Sequence, residues 1–309
     1  MTDRTSEVGR LQDRLRIAFE REFPIPANTE RHLAEALSET LQRSGNFIRA
    51  QIAYSVARAH GSPDESSLQL AIALEYFHTA SLLFDDLPSM DDATHRRGAM
   101  CVHQLYGEGA GILSALGLIN RAYALLWQAA AQSAPARQAA ALRYVESHLG
   151  LGGLLNGQSH DLHYSELPLA ERSPQKIAMG KTVSLIRLSL VLPAMLGAPP
   201  PRVIRLLDRL AIFWGLAYQA LDDLKDVLHE DARAGKTTAR DNLLDRPNLA
   251  LTLGASATIE RLQKLVRFSA RCVSRLQNLA PSLSCLDIPH QRLELEVAGL
   301  AEELVGARR

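Results

Sequence analysis

The chain has 309 residues, 47% of them apolar, and its 34 basic residues are matched by 34 acidic ones. That length and apolar share bury a large core and exclude disorder over most of the chain, and the balanced charge excludes a polyanion such as nucleic acid as the main partner. Any electropositive site must therefore be local.

Apolar residues recur at spacings of three and four almost throughout, while alternating patterns are scarce, so the predicted fold class is all-α. The opening stretch, MTDRTSEVGRLQDRLRIAFEREF, is charged and amphipathic rather than a signal peptide, and it starts a helix over about 5–22. Helices are predicted next over about 29–43, 46–60, 65–86, 99–131, 137–163, 173–192, 203–229, 249–279 and 287–307, with prolines at most of the joints. No polar linker cuts the chain, so a single domain over 1–309 is expected. LIRLSLVLPAMLG carries Arg187, contains Pro193 and is shorter than the ~20 apolar residues a membrane span needs, so no membrane insertion is expected. Cys101, Cys272 and Cys285 are odd in number, far apart and without CxxC spacing; they read as reduced packing residues of a cytoplasmic protein. Trp127 and Trp214 read as core.

The chemistry concentrates in two acid clusters. Directly after the apolar run AIALEYFHTASLLF comes DDLPSMDD, residues 85–92, and acids at the end of an interior helix need a cationic partner. Glu75, His78, Leu82 and Asp85 share one helical stripe, so His78 and Asp85 are expected to face a common space. In YQALDDLKDV, Asp222 and Asp226 share a face while Asp223 is turned about 100° away. Were the two helices to pack side by side, their carboxylates would need a divalent ion between them. Without Cys or multiple His, the clusters suit Mg²⁺, which binds through one or two carboxylates together with substrate phosphates. Taken singly, either cluster also suits a helix cap or a solvated face. HRRG at 95–98 sets Arg96 and Arg97 beside Asp91 and Asp92, and Lys181 and Lys236 each stand between a glycine and a threonine. Such cations bind phosphate oxygens, and with the acid clusters they describe a pocket for a diphosphate and its magnesium shell.

These segments resemble the trans-type isoprenyl (polyprenyl) diphosphate synthases, farnesyl and geranylgeranyl diphosphate synthases among them, over roughly residues 40–255. HTASLLFDDLPSMDDATHRRG looks like that family's first aspartate-rich motif with its RRG tail; NGQSHDL is similar to GGQxxDL, KTVSLIR to KTgxLIR, YQALDDLKDVL to FQxxDDxxD, and GKTTARD to GKxxGKD. The resemblance implies antiparallel helices around a deep central cavity and a homodimer. It implies three Mg²⁺ ions, with Asp85 and Asp91 as ligands, Asp86 in support, and Asp222 holding a further ion with Asp226 behind it. Arg96, Lys181 and Lys236 would grip an allylic prenyl diphosphate, and Thr182 and Gln219 would turn oxygen dipoles toward the developing allylic cation. Arg49, His78 and Arg97 would hold isopentenyl diphosphate.

Where relatives carry GGKRxRP this chain reads SGNFIRA, so Asn46 replaces a lysine and serves at most as a neutral donor, Phe47 replaces an arginine, and Arg49 is kept. Downstream, Arg240 keeps the charge of GKD, and RPNLA at Arg246 to Ala250 replaces KPTYP. Two other readings stay open: an enzyme that ionises prenyl diphosphate without ordinary use of isopentenyl diphosphate, class I terpene synthase-like or with another acceptor, and a non-catalytic partner subunit. Retention of Arg49 and Arg97 argues against the first, and the filled metal-ligand positions against the second. Five places before the first Asp pair, where a large aromatic halts growth in relatives, stands Ala80, followed by Ser81; a product of C20 or longer is expected. His160 and His163 lie in the segment that lines the cavity in that family, so a second metal site there is not expected.

Overall fold

The computed structural model describes residues 2–43, 45–228 and 246–306. Their internal contacts divide them into two units, the first running to Gln138 and the second starting at Ala139. Regular structure in both is almost wholly helical, as the apolar spacing requires.

The first unit contains α1 (Thr2–Arg21), α2 (Arg31–Gln42), α3 (Ile48–Ala59), α4 (Asp64–Asp85), a hairpin of β1 (His95–Arg96) with β2 (Ala99–Met100), α5 (Val102–Tyr106) and α6 (Glu108–Ala130). α4 is apolar nearly all round, so it has to be enclosed, and α1, α3 and α6 pack against it. Tyr76 of α4 anchors this core: its ring lies 4.8 Å from Phe19 of α1, and its hydroxyl donates to the Phe19 carbonyl at 2.6 Å. The helix expected over 99–131 is in fact broken. Arg97 and Gly98 both have positive φ, 54° and 78°, and turn the hairpin; Gly107, at φ 86°, separates α5 from α6.

Along α6, Ile112, Leu113, Leu116, Tyr123 and Trp127 stay exposed at helical spacing. Trp127, expected in the core, is 57% exposed, because the stripe that carries it faces away from α4; Trp214 is enclosed as expected. By length and apolar composition Glu108–Ala130 and Pro174–Leu196 both reach the size of a membrane span, and the second is 72% buried within the protein.

The boundary between units falls within α7 (Pro135–Leu149), and the second unit continues with α8 (Leu154–Leu162), α9 (Pro174–Ala178), a π-helical turn (Met179–Val183), α10 (Ser184–Leu196) and α11 (Pro201–Leu228). Beyond residue 245 come α12 (Leu249–Leu253), α13 (Ala255–Leu279) and α14 (Asp287–Gly306). The helix expected over 137–163 divides at the glycine-rich Gly150–Gly153, and that over 249–279 at Gly254, where φ is 81°. Pro193 does not end its helix. It sits one turn before the end of α10, whose residues are buried almost throughout, and that packing outweighs the ~3 kcal/mol a helical proline costs.

Gly157 of α8 and Gly180 of the π-turn bring two backbones into contact. A Cβ on Gly157 would lie 2.3 Å from the Lys181 nitrogen and 2.6 Å from the Gly180 carbonyl carbon. Gly157→Ala is expected to destabilise the protein by about 1–3 kcal/mol, read from urea unfolding, because backbone rather than a flexible side chain must give way.

Candidate active site

In the first unit the acid cluster is a loop folded back on the end of α4. The Asp91 N–H donates to the Asp85 carbonyl, Asp92 N–H to Leu87 and Ala93 N–H to Asp86, at 2.9, 2.9 and 3.1 Å. Asp85 and Asp91, six apart in sequence, are thereby side by side and partly exposed. Asp86 turns the other way. It is buried and accepts from Arg96 Nε at 2.6 Å; burial pushes its carboxyl up and the guanidinium pulls it back. Arg96 is thus fixed by Nε, which leaves its terminal amino groups for an anion.

Arg49 and His78 are in contact: Arg49 Nη1 donates to His78 Nε2 at 3.1 Å, which puts the His78 proton on Nδ1. Burial, with Arg49, Arg97 and Arg96 close by, holds His78 well below the usual histidine range, so the ring is neutral. Arg97 reaches the loop before α3 from its hairpin turn and donates to the Arg43 carbonyl at 3.4 Å. Its guanidinium lies so close over Gly45 that a Cβ there would be 2.5 Å from Nη2. Glu75, which the sequence placed on the same stripe without a role, is 3% exposed. Burial raises its carboxyl, while Arg49, Arg97 and the Ala50 N–H at the start of α3 lower it.

Asn46 is exposed, and its side-chain oxygen accepts from the Ile48 N–H at 3.4 Å, holding the entry to α3. Phe47 is 1% exposed, at φ 56°, with its ring edge-on to Phe19 at 5.4 Å.

In the second unit α11 sorts its acids by face as the helical period predicts. Asp222 is exposed and Asp226 half-buried, whereas Asp223 is enclosed. Asp223 accepts from Gln219 Nε2 and from the Leu249 N–H, both at 2.8 Å, and Gln219 Oε1 accepts from the Thr182 hydroxyl at 2.5 Å. Lys181 is held by Asp161, Nζ to Oδ2 at 2.7 Å, and Arg246 donates to the Asp161 carbonyl at 3.1 Å. Lys236 and Arg240 lie outside the described residues. His160 and His163 each bond the carbonyl four residues back through Nδ1, at Asn156 and Ser159.

The structure therefore gathers Asn46, Arg49, His78, Arg97, Arg96 and the Asp85–Asp91 loop in one unit, and Lys181, Thr182, Gln219, Asp222 and Asp226 in the other. Glu75, Asp223 and Arg246 are the residues whose part the sequence did not assign. Among the described residues no three His, Cys, Asp or Glu side chains converge into a ready-made metal cage. Asp85 with Asp91, and Asp222 with Asp226, offer hard-oxygen pairs at accessible positions, of the kind Mg²⁺ takes, one or two carboxylates at a time, with phosphate and water completing its shell.

The chain is 33% identical over 235 residues to a geranylgeranyl diphosphate synthase of Pseudescherichia vulneris, covering 74% of this chain and 73% of that protein. It is 30% identical over 233 residues to a farnesyl diphosphate synthase of Geobacillus stearothermophilus, covering 74% and 78%. Its fold matches a Helicobacter pylori geranyltransferase, crystallised with magnesium and isoprenyl diphosphate, at a TM-score of 0.80 and 22% identity, over 96% of this chain and 97% of the other. The Polyprenyl synthetase family profile matches residues 30–280, so with its two acid clusters and the basic side chains around them this chain belongs to the polyprenyl synthetase family.

Proposed function

We propose that this chain, working as one catalytic domain, is a magnesium-dependent trans-prenyltransferase that lengthens an allylic prenyl diphosphate with isopentenyl diphosphate. The observation that carries the reading is the Asp85–Asp91 closure with Arg96, Arg97 and Arg49 gathered in the same unit: paired acids for a metal, and cations for phosphate oxygens. Magnesium, three ions by analogy with the family, would neutralise the departing diphosphate when bound by Asp85, Asp91, Asp222 and Asp226. Arg96, Lys181 and Lys236 hold the allylic diphosphate as its C1–O bond breaks and the electron pair leaves with the diphosphate. Gln219 and Thr182 oxygens face the allylic cation so formed. The isopentenyl double bond then attacks C1, and a proton lost from its C2 goes to the released diphosphate. No protein nucleophile enters, and the apolar walls keep water from quenching the cation.

Arg49, Arg97 and neutral His78 bind the acceptor diphosphate, with Asn46 contributing no charge. Incubation with geranyl or farnesyl diphosphate, isopentenyl diphosphate and Mg²⁺ is expected to yield longer prenyl diphosphates; cyclic or alcohol products formed without isopentenyl diphosphate would instead mark an ionising enzyme with another acceptor. Arg49→Ala removes a charge-assisted contact of roughly 1.5–3 kcal/mol and is expected to raise KM for isopentenyl diphosphate about 10- to 100-fold while leaving KM for the allylic substrate in place. A product of C20 or longer remains our reading of chain length. Because Ala80 is fully enclosed and Ser81 keeps some surface, Ser81→Phe is expected to shorten the product with less loss of stability than Ala80→Phe.

His78 supplies a pH test. Its folded pKa lies below the ~6.5 of an unfolded histidine, so its contribution to stability is present above that pH and is lost as pH falls below it. His78→Gln, which still accepts from Arg49, is expected to give a flatter stability profile between pH 7 and 5 in urea titrations, with Arg49, Arg96, Arg97 and Glu75 unchanged around it.

The exposed stripe Ile112, Leu113, Leu116, Tyr123 and Trp127 supports a homodimer, with a second copy covering α6. Trp127→Asp is expected to shift the sedimentation coefficient to that of the monomer. The free cysteines accord with a cytoplasmic setting.

A further inference from the structure

We propose that Asp223, the middle acid of the second cluster, is a positioning residue that fixes which way the Gln219 amide faces, and so makes Gln219 present its oxygen to Thr182. The inference rests on the reading above, in which Gln219 and Thr182 oxygens face the allylic cation, and it assigns Asp223 no metal.

Asp223 is 2% exposed, and protein donors occupy both of its oxygens: Gln219 Nε2 on Oδ1 and the Leu249 N–H on Oδ2, each at 2.8 Å. Asn248 Nδ2 also donates to its backbone carbonyl, at 3.2 Å. Asp222, one position earlier, is exposed. Ligating a metal through Asp223 would mean breaking a hydrogen bond in a buried setting, whereas Asp222 stands in solvent. The two ends of a glutamine amide have nearly the same shape, so packing alone does not choose between them. A carboxylate does choose, because it only accepts. With Asp223 ionised and facing one end of the amide, that end must be the NH₂, and Oε1 must face Thr182. The Thr182 hydroxyl then has a single acceptor for its hydrogen at 2.5 Å and keeps its lone pairs turned elsewhere. Reversing the amide would place an NH₂, with its partial positive charge, beside Thr182, the wrong sign next to a developing cation.

The test uses the full chain with Mg²⁺, an allylic diphosphate and isopentenyl diphosphate. Asp223→Asn keeps the shape but both donates and accepts, so it no longer dictates the amide. Its kcat is expected to fall about 10-fold or more, with the Mg²⁺ concentration for half-maximal rate unchanged. Gln219→Leu should also be slow, and adding Asp223→Asn to it should cost nothing further. The proposal is overturned if Asp223→Asn has wild-type kcat, if its loss is recovered by excess Mg²⁺, or if the two substitutions multiply. Wild-type kcat in Gln219→Leu would overturn the role given to Gln219 itself, a failure of the underlying reading rather than of the Asp223 link. A crystal structure of the wild-type protein with Mg²⁺ and a diphosphate does not depend on how the variants fold: Asp223 should keep Gln219 and Leu249 as partners, and an Asp223 oxygen at about 2.1 Å from Mg²⁺ would refute the assignment.

Discussion

An aspartate taken out of water has to be given a partner, and that constraint sorts the acids of this protein. Each cluster sends one acid inward and leaves others near the surface. Asp86 is turned in and bound by Arg96; Asp223 is turned in and bound by Gln219 and Leu249; Asp161 is turned in and bound by Lys181. Asp85, Asp91 and Asp222 keep access to solvent. The same sorting divides labour among the cations. A charge such as Arg96, held at one nitrogen by a buried acid, is a stiffer ligand than one on a free tether, since less rotamer freedom is lost when an anion arrives.

The group around Arg49, His78 and Arg97 follows different rules. Asn46 spends its oxygen on the first turn of α3, and Arg97 leans across Gly45 from a hairpin. Glu75 is buried among this group, and burial raises its carboxyl while Arg49 and Arg97 pull it the other way. With His78 neutral, the arginines carry the positive potential there.

What the sequence allowed one to read was whatever depends on the helical period. Asp222 and Asp226 fall on one side of α11 and Asp223 on another, because positions three and four apart share a face wherever the helix is packed. The hairpin at Arg97 escaped notice because its first turn residue is an arginine at positive φ, a conformation that pattern reading assigns to Gly or Asn. Gly107 and Gly254 each end one helix and begin another within a continuous apolar pattern, so the breaks were invisible to periodicity. Trp127 shows the same limit from the other side, since an exposed apolar stripe has the spacing of a buried one. The partners of the buried acids were out of reach for a further reason: Asp223 and Leu249 are 26 positions apart, and nothing in the intervening chain announces that they meet.

Phe47 ties the loop before α3 to the core. Its ring packs edge-on against Phe19, which in turn meets Tyr76, so it is part of the masonry of the first unit. An arginine at 47 would drive a guanidinium into this aromatic wall rather than toward an anion. Position 46 is open to solvent and can accept a charge, whereas any change at 47 is felt first by the stability of the fold.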